Sequence, residues 1–305
     1  MTIILDNLFP VLALLLLGNL LKRTHTTTDA FLGVADRLVY FVFFPAMLFW
    51  KIGGSPSDLA GELKLVLPVT IAVLVVYGLS TAFIVLGNIG AFQAGSFSQS
   101  CFRNNTYVGM AVSLSAYGDE GGRQFAILIG LTIPTINVLS VATLIWFGGY
   151  PASPSKRIAH TARALALNPL ILGCLLGIAY SRVSSGFPLF VENTLRLASS
   201  VTLPLALLSI GGTLTLRGLR SHWRLSLVAS FFKLALLPAV GFLSLTAFGI
   251  SGLPFAIGML YVALPTSTAL YILSAQLNSD TTLASTAIAI STILAFGPMS
   301  AALFF

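Results

Sequence analysis

The chain reads as a succession of apolar stretches of membrane-spanning length, with only short polar joins between them. Ten segments can be drawn, at about 3–21, 31–50, 63–86, 91–117, 124–147, 164–180, 189–213, 222–247, 253–276 and 281–304. A helix crosses the hydrocarbon core of a bilayer in about 20 residues. The joins are too short to hold a soluble domain, so whatever the protein does happens within the bilayer. Of its 305 residues 56% are hydrophobic and 8% charged, against roughly 25% charged in a soluble domain. Lipid therefore has to be the solvent for most of the surface. The formal charge of +7 does not point to nucleic acid, because the basic residues cluster in the joins, where topology places them. The first apolar run, Leu8 to Leu21, lacks a basic leader and a small-residue cleavage site, and is expected to be the first span. Cys101 and Cys174 lie inside apolar segments and carry no information on redox compartment.

With ten spans the joins alternate between two faces. One face receives nine basic residues: Lys22, Arg23, Arg37, Lys156, Arg157, Arg163, Arg217, Arg220 and Arg224. The other receives five: Lys51, Lys64, Arg123, Arg182 and Arg196. The richer face is expected to be cytoplasmic, which puts both termini outside a cell membrane. Arg103 and Lys233 fall within spans and do not enter this count.

The chain also resembles itself. Pro10, Gly18 and Arg23 recur as Pro169, Gly177 and Arg182, each 159 positions later. Arg37, Pro45 and Leu48 recur as Arg196, Pro204 and Leu207, and Leu114-Ser115-Ala116 as Leu273-Ser274-Ala275, all at 159. Ile52-Gly53-Gly54 answers Ile210-Gly211-Gly212 with a slip of one, and no register is legible through the third and eighth spans. The reading is an all-α integral membrane protein with two five-helix repeats: 1–150, a short basic cytoplasmic loop at 151–163, and 164–305. Five spans is an odd number, so the second repeat enters the membrane from the opposite side. That inversion is expected of a secondary transporter, whose pseudo-symmetry lets one site face either side in turn.

The fourth and ninth spans are interrupted. The fourth carries Gln99, Ser100, Arg103, Asn104, Asn105 and Thr106 at its centre, and polar residues at that depth must face protein or a water-filled cavity. Adjacent asparagines compete for backbone hydrogen bonds and favour an opened turn. The ninth contains Ala263-Leu264-Pro265-Thr266-Ser267-Thr268, and Pro265 has no N–H and clashes with the carbonyl four residues back. At the 159 spacing Pro265 falls on Thr106 and Leu264 on Asn105. Broken spans in equivalent positions point to a binding site. Each break leaves half-helix N–H groups that are unpaired and partly positive, and inversion aims them at one point. With hydroxyls from Thr106, Thr266, Ser267 and Thr268, and the amides of Asn104 and Asn105, the arrangement suits a small anion, foremost a carboxylate. Taken singly, Pro265 reads equally as a membrane-helix kink, and the asparagines as interhelical glue. Arg103 either snorkels to an interface or holds a carboxylate.

These residues resemble a known family. Asn105-Thr106-Tyr107-Val108-Gly109 ending at Tyr117-Gly118 is similar to the first crossover of the auxin efflux carrier family, within the bile acid and auxin carrier superfamily. Ala263-Leu264-Pro265-Thr266 through Ala275-Gln276 and Asp280 resembles its second crossover, and Pro10, Gly18, Pro45 and Leu48-Phe49 fit its start. The resemblance implies a ten-helix fold with spans 1, 2, 6 and 7 as scaffold. Spans 3–5 and 8–10 would form a mobile transport domain working as an elevator, in a homodimer. It implies organic-anion transport, with Asn105 and Pro265 at the crossing point. The long cytoplasmic loop of many plant members is absent, with only Tyr150 to Arg163 in its place, which is the pattern of a compact bacterial-type member. Arg103 is not a family feature and would tune the substrate.

The nine acidic residues and His25, His160 and His222 all fall in joins or near span ends. A proton relay needs an ionisable group at membrane depth, so uniport, or co-transport with a proton or sodium ion, is the expectation. A sodium-coupled bile-acid-type symporter is the nearest alternative. A channel needs rings of charge or carbonyls. Paired carboxylates, histidine clusters and metal-ligand spacings are missing from the spans, so no enzyme, cofactor or metal is expected.

Overall fold

The computed structural model describes residues 2–54, 59–147, 163, 166–184, 186–214, 219–276 and 278–305. The basic loop expected at 151–163 lies outside the described residues, Arg163 apart. Among the described residues the chain is helical, and the sole β-type pairing is an isolated bridge between Asn104 and Thr266.

Among the described residues five helical stretches are long and apolar enough to cross a bilayer: Asp29–Gly53, Leu63–Leu86, Thr106–Leu144, Leu189–Thr213 and His222–Ala247. A sixth forms if Thr281–Leu294 and Phe296–Ala302, bent by 46°, count as one. The fourth and ninth segments are cut in two, into Ala91–Phe102 followed by a helix from Thr106, and Gly252–Ala263 followed by Ala269–Gln276. The helical stretch Thr106–Phe147 is two helices that meet at Gly118, where the join after residue 117 was expected. There φ of 64° and ψ of −156° leave the helical region, a conformation open to glycine. Large apolar side chains such as Leu86, Trp146, Leu189 and Phe190 stand exposed, as a membrane protein's lipid-facing surface does.

Two compact units emerge. The first comprises Met1–Leu63, Tyr107–Ile133 and Ala164–Leu214. Its helix starts are written in the sequence: the Thr28 hydroxyl accepts from the Phe31 amide at 3.2 Å. Asn168 accepts from the amides of Leu170 and Ile171 at 2.9 and 3.3 Å, with Pro169 at the first helical position, where no hydrogen bond is forfeited. Thr2–Arg23 packs on Leu189–Thr213 where Gly18 meets the Leu208 backbone and Gly211 that of Leu15. A Cβ on Gly18 would lie 2.1 Å from the Leu208 carbonyl oxygen, and one on Gly211 2.0 Å from that of Leu15. Phe44–Gly53 packs on Pro169–Val183 in the same manner, through Gly173 against Pro45 and Gly177 against Phe49 and Ile52. Small residues let membrane helices bring their backbones together. Gly18 and Gly177, related by the 159 spacing, thus do the same work in two helix pairs.

The second unit comprises Lys64–Thr106, Pro134–Arg163 and Thr215–Phe305. Leu219–Phe231 packs against both Thr281–Leu294 and Ala91–Phe102, and the last two pack on each other. Asp280 caps Thr281–Leu294, accepting from the amides of Thr282 and Leu283 at 3.0 and 2.9 Å. Its other carboxylate oxygen lies 3.0 Å from His222 Nε2. A π-helical turn, Phe232–Leu236, sits just before Pro238, as a second one in the first unit, Val39–Phe43, sits before Pro45. In each case the widened turn accommodates a ring that cannot donate and would crowd the carbonyl four residues earlier.

Candidate functional site

The eight residues expected at the site all belong to the second unit. Ala91–Phe102 ends at Arg103, whose backbone is extended (φ −76°, ψ 129°). Gly252–Ala263 ends at Leu264 (φ −65°, ψ 151°), where the following proline disfavours the helical region. Between the helix ends two hydrogen bonds run in opposite directions. Asn105 N–H donates to the Pro265 carbonyl at 2.9 Å, and Ser267 N–H to the Arg103 carbonyl at 3.2 Å. Asn104 and Thr266 consequently face each other as the non-hydrogen-bonded pair of an antiparallel bridge, the pairing that brings side chains closest.

The bridge corrects the spacing read from the sequence. Its local two-fold relates Asn104 to Thr266, Asn105 to Ser267 and Thr106 to Thr268, a spacing of 162. A gapless spacing of 159 does not hold here, because the helix ends Phe102 and Ala263 are already 161 apart. The hydrogen bonds also narrow the set of backbone donors. The amides of Asn105 and Ser267 are taken up by the bridge, the Thr266 amide donates to Ser291 Oγ at 3.1 Å, and the Ala269 amide to Ser267 Oγ at 3.3 Å. These four N–H groups are bound by protein, as backbone polar groups at membrane depth must be.

Burial sorts the eight. Arg103, Asn104, Asn105, Pro265 and Thr266 are buried, while Thr106, Ser267 and Thr268 are half-buried. The Thr266 hydroxyl donates to the Ser100 carbonyl at 2.9 Å, which makes it a strut between the two interrupted helices. Arg103 does not snorkel. Its guanidinium donates to Gln99 Oε1 at 3.3 Å, Ser140 Oγ at 3.1 Å and Asn137 Oδ1 at 3.2 Å, and its cation sits at a helix C-terminus, where the dipole favours it.

One residue was missed. Lys233 was set aside as a charge within a span, yet its side chain is fully buried in the π-turn and its ammonium donates to Asn104 Oδ1. The signal was present in the sequence, in a lone lysine inside Phe231-Phe232-Lys233-Leu234-Ala235-Leu236. An ionisable residue within a membrane segment is a functional candidate by default.

With this geometry in place, comparison with known proteins gives a concordant picture. A family model described as membrane transport protein matches residues 153–303, which contain Lys233 and the second interruption. The chain is similar to a protein of Rhizobium meliloti named "Putative malonate transporter", 23% identical, with 97% of this chain and 93% of the relative covered. It is also similar to an uncharacterized transporter of Methanocaldococcus jannaschii, 24% identical with 94% of each chain covered. Another uncharacterized transporter, from Methanothermobacter thermautotrophicus, is 26% identical, with 95% of this chain and 94% of that one covered.

Proposed function

From the premise that this chain belongs to the membrane transport protein family, the auxin efflux carrier family its crossovers resemble, we propose that it is a secondary carrier of a small mono- or dicarboxylate. The observation that carries the reading is the reciprocal bridge, Asn105 to Pro265 and Ser267 to Arg103. It unites two broken helices by a local two-fold, as inverted repeats would. The hydroxyls of Thr106, Ser267 and Thr268, half-buried, are the groups a substrate reaches, while Asn104, Asn105, Arg103, Pro265 and Thr266 shape and charge the site. The malonate named for the Rhizobium relative supports the carboxylate class.

Ten membrane segments in two inverted five-helix repeats, both termini outside the cell membrane, complete the proposal. The matching use of Gly18 and Gly177 at close helix crossings supports the repeat. Spans 1, 2, 6 and 7 act as the scaffold of a homodimer, and spans 3–5 and 8–10 as an elevator that carries the site. The grouping of spans 1, 2, 6 and 7 in one unit and 3, 8, 9 and 10 in the other supports that division, while spans 4 and 5 are each divided between the units, with Tyr107–Ile133 in the first.

The test is counterflow of labelled malonate and other small carboxylates in proteoliposomes, with Asn105→Ala alongside. Saturable counterflow, reduced to background in the variant, is the expected result and excludes a channel. A strict requirement for sodium would transfer the protein to the bile-acid-type symporters. Counterflow of a cation or neutral solute, with none for any carboxylate, would sink the anion assignment.

A further inference from the structure

Pro238 forces the π-turn, and the π-turn carries Lys233 into the interior of the second unit, 0% exposed. Among the described residues no carboxylate pairs with it. Its hydrogen-bond partner is neutral, the side-chain oxygen of Asn104. An ammonium can only donate, so the Asn104 amide has one permitted orientation, with Oδ1 toward the lysine and Nδ2 away from it. That Nδ2 is buried without a hydrogen-bond partner among the described residues, in a side chain only 5% exposed. Burying a cation without a counter-charge and a donor without an acceptor are both costly. The two lie one hydrogen bond apart, on the residue that the bridge seats opposite Thr266.

One ligand chemistry resolves both. An anion supplies the missing charge to Lys233 and the missing acceptor to Asn104 Nδ2, whereas a cation is repelled and a neutral solute leaves the ammonium uncompensated. We propose that Lys233 and Asn104 form an anion subsite of the crossover. Lys233 is a positioning residue that supplies charge and fixes the Asn104 amide, so that its NH2 group donates to a substrate carboxylate oxygen. The subsite takes its ligand class from the carboxylate reading above, and its charge logic applies to any small oxyanion.

The experiment is isothermal titration of the purified protein in nanodiscs with sodium malonate, sodium acetate, inorganic phosphate and sulfate. The variants are Lys233→Met, Lys233→Arg, Asn104→Ala and the double variant Lys233→Met with Asn104→Ala. Melting without ligand confirms that each is folded. Loss of a charged hydrogen bond predicts that Lys233→Met and Asn104→Ala each weaken malonate binding about tenfold or more. The double variant should lose less than the product of the two single losses, because the lysine acts in part through the amide, and Lys233→Arg, which keeps a charged donor, should restore binding. Binding that survives Lys233→Met, or effects that multiply in the double variant, overturns the subsite while leaving the carboxylate reading intact. Binding of phosphate or sulfate but of no carboxylate, lost in Lys233→Met, sustains the subsite and overturns the carboxylate reading. No binding of any of the four anions overturns both.

Discussion

Replacing Thr266 by valine keeps the outline of the side chain and removes one donor, the hydroxyl that reaches the Ser100 carbonyl at 2.9 Å. That carbonyl belongs to the last turn of Ala91–Phe102 and is among those a helix cannot pair within itself. In water the loss would be softened by solvent. Here Ser100 and Thr266 are each 1% exposed, so the acceptor is stranded, at about 1–3 kcal/mol. For a unit of 150–250 residues each kcal/mol lowers the melting temperature by about 2–4 °C, so the expected fall is on the order of 5 °C. The counterpart is Thr268→Ala, whose half-buried side chain serves the substrate in the proposed site and not the fold. Differential scanning fluorimetry with and without malonate reads both. Thr266→Val should melt early and keep its ligand-induced shift, while Thr268→Ala should melt with the wild type and lose the shift. An unchanged melting temperature for Thr266→Val, or the same behaviour from both variants, would refute the division into strut and contact.

The glycine crossing of the first unit gives a stability prediction with an internal control. Gly211→Ala sets a methyl 2.0 Å from the Leu15 carbonyl oxygen and should cost about 1–3 kcal/mol in thermal melts. Gly33→Ala, with nothing within 4 Å, should be neutral or stabilise by up to about 1 kcal/mol, the helix penalty of glycine. At Asp280 two roles separate by substitution. Asp280→Asn keeps a good cap for Thr282 and Leu283 and loses the charge facing His222, so it should melt close to wild type. Asp280→Ala also removes the cap, and should cost about 1 kcal/mol more.

What the sequence made legible follows from how local each cause is. The break at Pro265 is visible because a proline acts on its own turn, and the structure ends the helix two residues before it. The break at Asn104 and Asn105 is visible because polar residues at depth need a reason. The join after residue 117 falls where the structure breaks Thr106–Phe147 into two helices, although length and hydropathy do not show that Gly118, with φ of 64°, makes the break. Register across the two halves has already shifted before the interruptions, since Ala91–Phe102 and Gly252–Ala263, each of 12 residues, start and end 161 apart. The role of Lys233 was hidden for a different reason. Its partner, Asn104, lies 129 residues away, and a spacing argument within one helix cannot find a contact between two. The same holds for Arg103, whose restraint by Asn137 and Ser140 becomes visible only when span 5 is placed beside span 4.

The bridge also explains why the interruptions come as a pair. An opened helix in a bilayer exposes N–H and C=O groups that lipid cannot satisfy, and a single break in one span would leave them stranded. At residues 103–105 and 264–268 each break supplies what the other lacks: the Pro265 carbonyl accepts from the Asn105 amide, the Arg103 carbonyl accepts from the Ser267 amide, and the Thr266 hydroxyl donates to the Ser100 carbonyl. Pro265 suits this arrangement, because it is used only through its carbonyl and has no N–H to be left over. Two interruptions are thus mutually required, and a chain that kept one and healed the other would have to bury unpaired backbone. What remains after the backbone is satisfied is a set of side chains, the half-buried hydroxyls of Thr106, Ser267 and Thr268, with the Lys233 charge and the Asn104 amide behind them. The backbone therefore builds the crossing, and the side chains are left to choose what crosses.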